Sequence, residues 1–559
     1  MSRENPLTDT GEKAITSECL LFSSDRPLPD HTLHGFAYAD GDMICGPFGY
    51  TKFKAHRGKR ITPGQDGSYI VVNRSGNRTT IGTDFSGYST LYLYQSGAHW
   101  ALSNSFLTLA RHAHRGPGDV TSDRLSLHSH NISKSLGFQT SLMSMGIKEI
   151  QLVPAGIQVV IHHSQEGDTA TTEPIWSQKP VFEDATRYQT TLRRFLTTAA
   201  SRMCTLLLSD ADITCDITGG RDSRAVLAIM LFAARLLGIS LNQRVHFNSR
   251  KNAPNDFEIA SRLCRSVEIT LNRPSMEAIA KRGIQGDHGY TIWKQQHLGA
   301  HHQIMFPLVH RDSTHFWLSG NGGESHRYRH SFGPSPDVAH YFRSVTKGFP
   351  CDRTRNLFLA RLLEDLETQR QYAYSTSDDL MLLYRSYRDR MHHGRRSRMF
   401  NAITPLSSKL LRQASDHCTK ESWENGLVLA DIIANMAPDL LQTPFEKPYP
   451  GYDLGSLIFR QLFSNLAEDV DTSGELFRDP AYAPTKPEDN SRSSMDAIQE
   501  DFDVAIGAAQ KLGIYSDAFL ANAQQVMRQA AQDSSLNPRL FGPQISHILL
   551  GAELSQLWR

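Results

Sequence analysis

The sequence predicts an α/β protein in two parts, a β-rich part over residues 1–185 and an α/β part with a parallel sheet and a helical extension over residues 186–559. Three observations predict it. Up to about residue 180, short β-rich runs alternate with clusters of Asn, Gly and Ser, the pattern of antiparallel hairpins or meanders. From about residue 186, longer helical periodicity is interrupted by isolated apolar pieces, which favours a parallel sheet wrapped by helices. At Ile213–Val226 (ITCDITGGRDSRAV), an apolar run meets a glycine pair and an acidic turn that opens a helix.

In chain order, the first strands are SYIVVN, then RTTIGTDFSG after the turn RSGN, then LYLYQSGAHWALS. At Ile213–Val226 the β-branched flank reads as a buried strand and Ala225–Leu237 as a largely buried helix. Between them Thr218, Gly219 and Gly220 leave the backbone uncluttered, so that amide N–H groups and a helix N-terminus can point at an anion. Asp222 repels a bare phosphate, so its functional use there is to hold a divalent metal that bridges phosphate oxygens. The spacing matches neither GxxxxGK[ST] nor GxGxxG. The alternative is a tight strand-to-helix turn whose glycines serve geometry, with Asp222 or Ser223 capping the helix.

Arg244–Asn248 predicts a second strand, and Asn255–Ala260 opens a helix that Asn255 or Asp256 is placed to cap. Thr314–Gly320 predicts another strand, ending in a second glycine-rich turn, Leu318–Ser325 (LSGNGGES), with one carboxylate, Glu324. Asp469–Asp496 reads as a surface excursion followed by a helical tail. Arg395, Arg396 and Arg398 read first as a solvated basic face and second as an attractor for an anionic substrate. Arg224 is placed either to meet a phosphate or to serve a structural or solvent-facing role. His297 and His301 share a helix face, with His302, His392 and His393 elsewhere, but no HExxH glutamate accompanies them and no zinc site is expected.

With 59 Lys and Arg against 58 Asp and Glu, no global field marks the chain for nucleic acid or membrane. Seven scattered cysteines without a CxxC read as reduced core thiols, and there is neither a secretory apolar segment nor a run long enough to span a bilayer. A cytoplasmic protein is expected.

Thr218–Ser223 resembles the SGGxDS pyrophosphate loop of the ATP pyrophosphatases, and GGRDSR is similar to divergent members of the class B asparagine synthetase family. In the first part, Gly82–Tyr88 with Leu91–Tyr94 is similar to that family's D-x-x-G-x-x-P-L-Y-Y. Trp100–Ala110 and Ile147–Ile157 resemble its next two segments in order. LSGNGGES resembles its L-S-G-x-G-x-D-E, and Leu429–Tyr452 its late lysine-bearing loop. The resemblance implies a glutaminase-like N-terminal-nucleophile hydrolase sandwich over 1–185 and an ATP-pyrophosphatase domain over 186–559. It implies ATP and Mg²⁺ as cofactors, with Thr218, Gly219, Gly220 and Ser223 gripping pyrophosphate and Asp222 and Glu324 on the metal. Gly320 would meet the nucleotide, and Lys447 the α-phosphate unless it is a plain surface lysine.

Departures from the family pattern direct the reading. Residue 2 is Ser2, where glutamine hydrolysis needs a cysteine, so glutaminase activity is not expected. Asn321 replaces an acidic residue of the acceptor site and cannot act as a general base, and family substrate contacts are replaced at about Asn401, Ile403 and Ser408. The family members with comparable losses make β-lactams or lasso-peptide macrolactams. The expectation is therefore an AMP-forming amide or lactam synthetase of specialised metabolism that joins a small-molecule or peptide carboxylate to an amine. The resemblance leaves room for a homodimer. Two rivals are an ammonia-fed asparagine synthetase and a non-catalytic nucleotide-binding scaffold.

Overall fold

Side-chain alternation builds the first half. The computed structural model describes residues 19–176, 184–273, 287–305, 315–327, 335–374, 378–399, 401–452, 455, 460–478, 494–532 and 538–558; Ser2, the polar N-terminal stretch, Thr314 and residues 479–493 lie outside the described residues. Its first strands are β1 (Leu21–Ser23), β2 (His31–Ala39), β3 (Asp42–Cys45), β4 (Gly67–Ser75), β5 (Arg78–Thr83), β6 (Tyr92–Ser96), β7 (His99–Ser103), β8 (Ile150–Leu152), β9 (Ile157–His162) and β10 (Thr169–Pro174). They form two antiparallel sheets, one ordered β1-β7-β6-β8 and a larger one running β10-β9-β5-β4-β2-β3. In β4, Ile70 and Val72 join Leu93, Trp100 and Leu102 of the smaller sheet in one core, while Tyr69 and Val71 join Tyr50 and Phe53 of helix α1 (Gly46–Arg57) in another. Successive side chains of a strand point to opposite faces, so the larger sheet is covered on both. Tyr92 and Tyr94 on the outer face of the smaller sheet meet Leu109 and Ala113 of α2 (Phe106–Arg115). The result is a helix–sheet–sheet–helix sandwich. The β4–β5 and β6–β7 hairpins close on two-residue turns in which Gly76 and Gly97, both at φ +59°, supply the left-handed conformation that suits the strand twist.

The second half opens with α3 (Ala185–Leu208) and continues through β11 (Asp212–Asp216), α4 (Arg221–Leu237), β12 (Val245–Asn248), β13 (His315–Leu318) and β14 (Ala402–Ile403). These four strands are parallel in the order β12-β11-β13-β14. The apolar run expected at Ala225–Leu237 makes α4 buried from Ala225 to Leu231, packed between the sheet and neighbouring helices. From β11 the chain crosses to β12 on one side and later returns to β13 on the other. Such a reversal of strand order opens a crevice at the carboxyl ends of the two central strands, where open α/β sheets bind ligands.

Two expectations are corrected. The described start of the Asp469–Asp496 segment is not a free excursion, because β15 (Leu476–Phe477) pairs parallel with β3 and adds a seventh strand to the larger sheet. Phe477 is buried against Phe53, ring centroids 5.5 Å apart, and shields the sheet edge. The tail helices Ser494–Lys511, Asp517–Gln532 and Pro538–Leu557 share one core with α2 and the smaller sheet, so the two halves are bound through a common apolar interior. All seven cysteines are free thiols as expected, but Cys351 is exposed. Among the described residues no helix is long and apolar enough to cross a membrane.

Candidate functional site

The glycine-rich turns that follow β11 and β13 pack on each other at the mouth of the crevice. A Cβ on Gly320 would stand 2.5 Å from the Ser223 amide nitrogen, and one on Gly323 would stand 2.5 Å from the Asp222 carboxylate. Gly322 between them has φ +88°, a left-handed conformation that disfavours a side chain. The pattern in LSGNGGES is thus explained by close approach to Asp222 and Ser223, and Gly320 contacts that loop directly.

The first loop is braced from within. The Ser223 hydroxyl accepts from the Thr218 N–H at 3.1 Å and lies 2.9 Å from the Thr218 hydroxyl, which accepts from the Gly220 N–H at 3.3 Å. The Gly219 N–H donates to Asp256 Oδ1 at 2.6 Å. The amides of Thr218, Gly219 and Gly220, expected to face an anion, are therefore engaged by side-chain oxygens. The N–H groups left for a ligand belong to the first turn of α4, which has Gly220 as N-cap and no side-chain cap. Neither Asp222 nor Ser223 caps it. Asn255 and Asp256 do not cap their helix either: Pro254–Ser266 begins after Ala253 without a side-chain cap, and Asp256 is directed to the loop.

Asp222 and Glu324 come together on Arg327. The guanidinium makes a two-pronged pair with Asp222, through Nη1 to Oδ1 and through Nη2 to Oδ2 at 3.0 Å, and its Nη2 lies 3.8 Å from Glu324 Oε1. The Tyr384 hydroxyl donates to Glu324 Oε2 at 2.7 Å. Burial opposes the charge on Arg327, but the Asp222 carboxylate and then Glu324 outweigh it and hold the guanidinium above its ordinary pKa. Two carboxylates on adjacent turns suit a magnesium ion whose other ligands are phosphate oxygens. They do not make a self-sufficient metal centre, since no group of three or more His, Cys, Asp or Glu gathers among the described residues. A cation entering on Asp222 has to displace Arg327.

The loop carrying Lys447 is tied to the same place. The Glu446 N–H donates to the Gly219 carbonyl at 3.2 Å, and the exposed Lys447 ammonium stands 5.7 Å from the Tyr449 ring. Arg224 fixes this loop and does not reach a ligand. It is fully buried, donates to the carbonyls of Leu440, Thr443 and Pro444 at 2.9, 2.6 and 2.9 Å, and lies 3.6 Å from the Phe445 ring centroid. Arg221 donates to the Asn425 carbonyl at 2.7 Å and stacks over Tyr449 and Tyr452.

Behind the Glu324 turn runs a π-helical stretch, Tyr384–Asp389. Its extra residue per turn brings Tyr384 to Glu324, Arg385 to the Ser325 carbonyl at 2.8 Å, and Asp389 to the Ser325 hydroxyl, which donates at 2.9 Å. Beyond it the expected solvated basic face is instead buried. Arg395 donates to Gln303 at 2.7 Å and lies 3.1 Å from His301 Nε2, while Arg398 lies 3.3 Å from His297 Nδ1. Arg396 pairs with Asp216 at 3.0 Å. Burial, then the neighbouring arginines, push both histidines well below the ordinary range, so they are neutral partners of arginine. Ile403 lies in β14, Asn401 is buried beside it, and the Ser408 hydroxyl donates to Asp66 at 2.9 Å. No family model matches the chain, and no curated protein matches it.

Proposed function

We propose that the crevice binds ATP with magnesium and that the protein is an AMP-forming amide or lactam synthetase, a divergent relative of the class B asparagine synthetases. One observation carries the reading: the two carboxylates that the resemblance assigns to the metal, Asp222 and Glu324, converge on one guanidinium across a strand-order reversal. The helix–sheet–sheet–helix layering supports a glutaminase-like sandwich for the first part, and the parallel sheet with its two glycine-rich turns supports an ATP-pyrophosphatase domain for the second.

In this reading a substrate carboxylate attacks the α-phosphorus of ATP and pyrophosphate leaves. An amine then attacks the acyl carbon and displaces AMP. The first-turn N–H groups of α4 and the hydroxyls of Thr218 and Ser223 receive the pyrophosphate oxygens, with Gly219, Gly220 and Gly320 keeping side chains out of the way. Asp222 and Glu324 would hold a magnesium ion, which would supply positive charge to offset that on the leaving pyrophosphate. Arg327, displaced from Asp222, moves to a phosphate oxygen. Lys447, on a loop tied to Gly219, meets the α-phosphate. Asn321 offers no general base, which favours an amide or lactam product of specialised metabolism over asparagine.

The test is magnesium-dependent ATP–pyrophosphate exchange with a panel of carboxylates. Exchange that Asp222→Ala abolishes in a folded variant supports the synthetase. ATP binding without exchange for any acid identifies a nucleotide-binding scaffold instead, and exchange with aspartate plus free ammonia identifies an asparagine synthetase.

A further inference from the structure

A cleft of about 610 Å³, counting the part open to solvent, lies between the two halves directly behind the Glu324–Ser325 turn. One wall is aromatic. Phe85 and Trp176 from the first half and Tyr374 from the second stand with ring centroids 5.4–5.8 Å apart, their faces set at steep angles. The lining also carries three guanidiniums, Arg385, Arg390 and Arg412, the last 6.0 Å from the Phe85 ring centroid, against one lining carboxylate, Asp389. Asp389, Arg390 and Arg412 are buried and Arg385 is half-buried.

The cleft wall itself carries only Asp389 as a carboxylate; Asp84 near Arg390 and Asp378 near Arg385 lie outside it. Asp389 is already engaged, accepting from the Ser325 hydroxyl at 2.9 Å and the Tyr88 hydroxyl at 3.3 Å. Arg385 and Arg390 each donate to a backbone carbonyl, of Ser325 and Gly87 respectively, at 2.8 Å. Arg390 Nη2 and Arg412 Nε are buried without a hydrogen-bond partner, although Arg390 is 1 % exposed and Arg412 8 %. Asp416 lies near Arg412 and Arg385 but not in the cleft wall. Burying guanidiniums is costly unless charge and hydrogen bonds compensate it. A carboxylate fits the deficit, since it accepts several hydrogen bonds and matches the planar fork of arginine. The three rings beside the guanidiniums favour a flat apolar body on the same molecule.

We propose that this cleft is the acid-substrate site and takes a small aromatic carboxylate, its anion on Arg390 and Arg412 and its ring among Phe85, Trp176 and Tyr374. Its role as a substrate site rests on the synthetase reading; binding itself does not. The π-helical stretch joins the cleft to the crevice, because Tyr384 reaches Glu324 while Arg385 and Asp389 line the cleft.

The test uses the full chain without ATP, titrated with phenylacetate, phenylacetamide and acetate and followed by calorimetry. Phenylacetate is expected to bind at least tenfold more tightly than either control. Arg412→Gln should abolish the preference for the acid over its amide. Trp176→Leu, which leaves the charges alone, should abolish the preference for phenylacetate over acetate and carries the test if Arg412→Gln does not fold. No saturable binding of phenylacetate, or equal binding of acid and amide, overturns the proposal. ATP–pyrophosphate exchange driven only by acids that do not compete with phenylacetate sinks the cleft and leaves the synthetase standing. Binding without exchange does the reverse.

Discussion

Two charged centres of opposite balance share the Glu324–Ser325 turn. On one side Asp222 and Glu324 converge on Arg327; on the other Arg385, Arg390 and Arg412 share the cleft wall with Asp389. The acidic centre is half-buried, so water shares the cost of its charge. The basic centre is more deeply buried, and its arginines are anchored to backbone carbonyls or lack acceptors. Half-buried carboxylates held by a cation suit the exchange of one cation for another, whereas fixed guanidiniums without acceptors suit the arrival of an anion. The turn between them is where a metal-phosphate and an acid would meet.

The largest expected effect separates the two centres by activity. Asp222→Asn keeps the shape of the acidic centre but removes its charge, and exchange should fall by about 10²–10³-fold, the size of losing a preorganised electrostatic group. Phenylacetate binding to the cleft should stay within twofold. A parallel loss of both would mean that the centres are one site.

Next in size is the framework beneath the acidic centre. Arg224→Ala leaves three carbonyls, two of them buried, without their donor and removes the stack on Phe445, so urea unfolding should show a loss of about 3 kcal/mol. Arg224→Lys should recover part of that, since an ammonium reaches fewer carbonyls than the planar fork does. If Arg224 were a phosphate ligand, ATP affinity would fall with stability unchanged.

The arginine-rich helix Arg390–Met399 should lose stability in acid. His297 and His301 are buried neutral beside Arg398 and Arg395, with folded pKa values well below the ordinary 6.5. The unfolded chain then binds more protons, so stability is full above pH 6.5 and is lost as pH falls, by up to about 2 kcal/mol per histidine at pH 5. Thermal unfolding followed from pH 7.5 to pH 5 checks this, and His297→Gln with His301→Gln should flatten the slope.

What the sequence made legible was local. Apolar runs located β11, β12 and β13, the first and last of them ended by glycine-rich turns, and Asn/Gly turns located the hairpins, because strand burial and turn geometry are written within a few residues. Asp256 and Arg327 were not legible as partners of Gly219 and Asp222, which lie 37 and 105 residues away. Helix capping looked sufficient for the first, and nothing in spacing pointed to the second. Six of the ten residues in Arg390–Met399 are Arg or His, so the pattern reads as a solvated helix. It is buried because carbonyls and neutral imidazoles elsewhere in the chain accept its guanidiniums, and a pattern of polarity does not encode those partners. The same holds for Leu476–Phe477, whose apolar pair is too short to announce a strand until β3 presents an open edge.

The smallest expected effect asks whether Arg327 is a stand-in cation or a fixed strut. A half-buried two-pronged pair contributes on the order of 1 kcal/mol, more than a fully exposed one and less than a buried one. If magnesium must displace this pair, Arg327→Gln should lower the half-saturating magnesium concentration for exchange by about fivefold, the factor that 1 kcal/mol corresponds to. If Arg327 then passes to a phosphate, the same variant should reduce kcat even at saturating magnesium. A strut gives a different pattern: magnesium affinity worsens, because Asp222 and Glu324 lose the charge that aligns them, and Arg327→Lys restores it. The two outcomes move the magnesium dependence in opposite directions, so one titration decides whether the acidic centre is poised for exchange or locked.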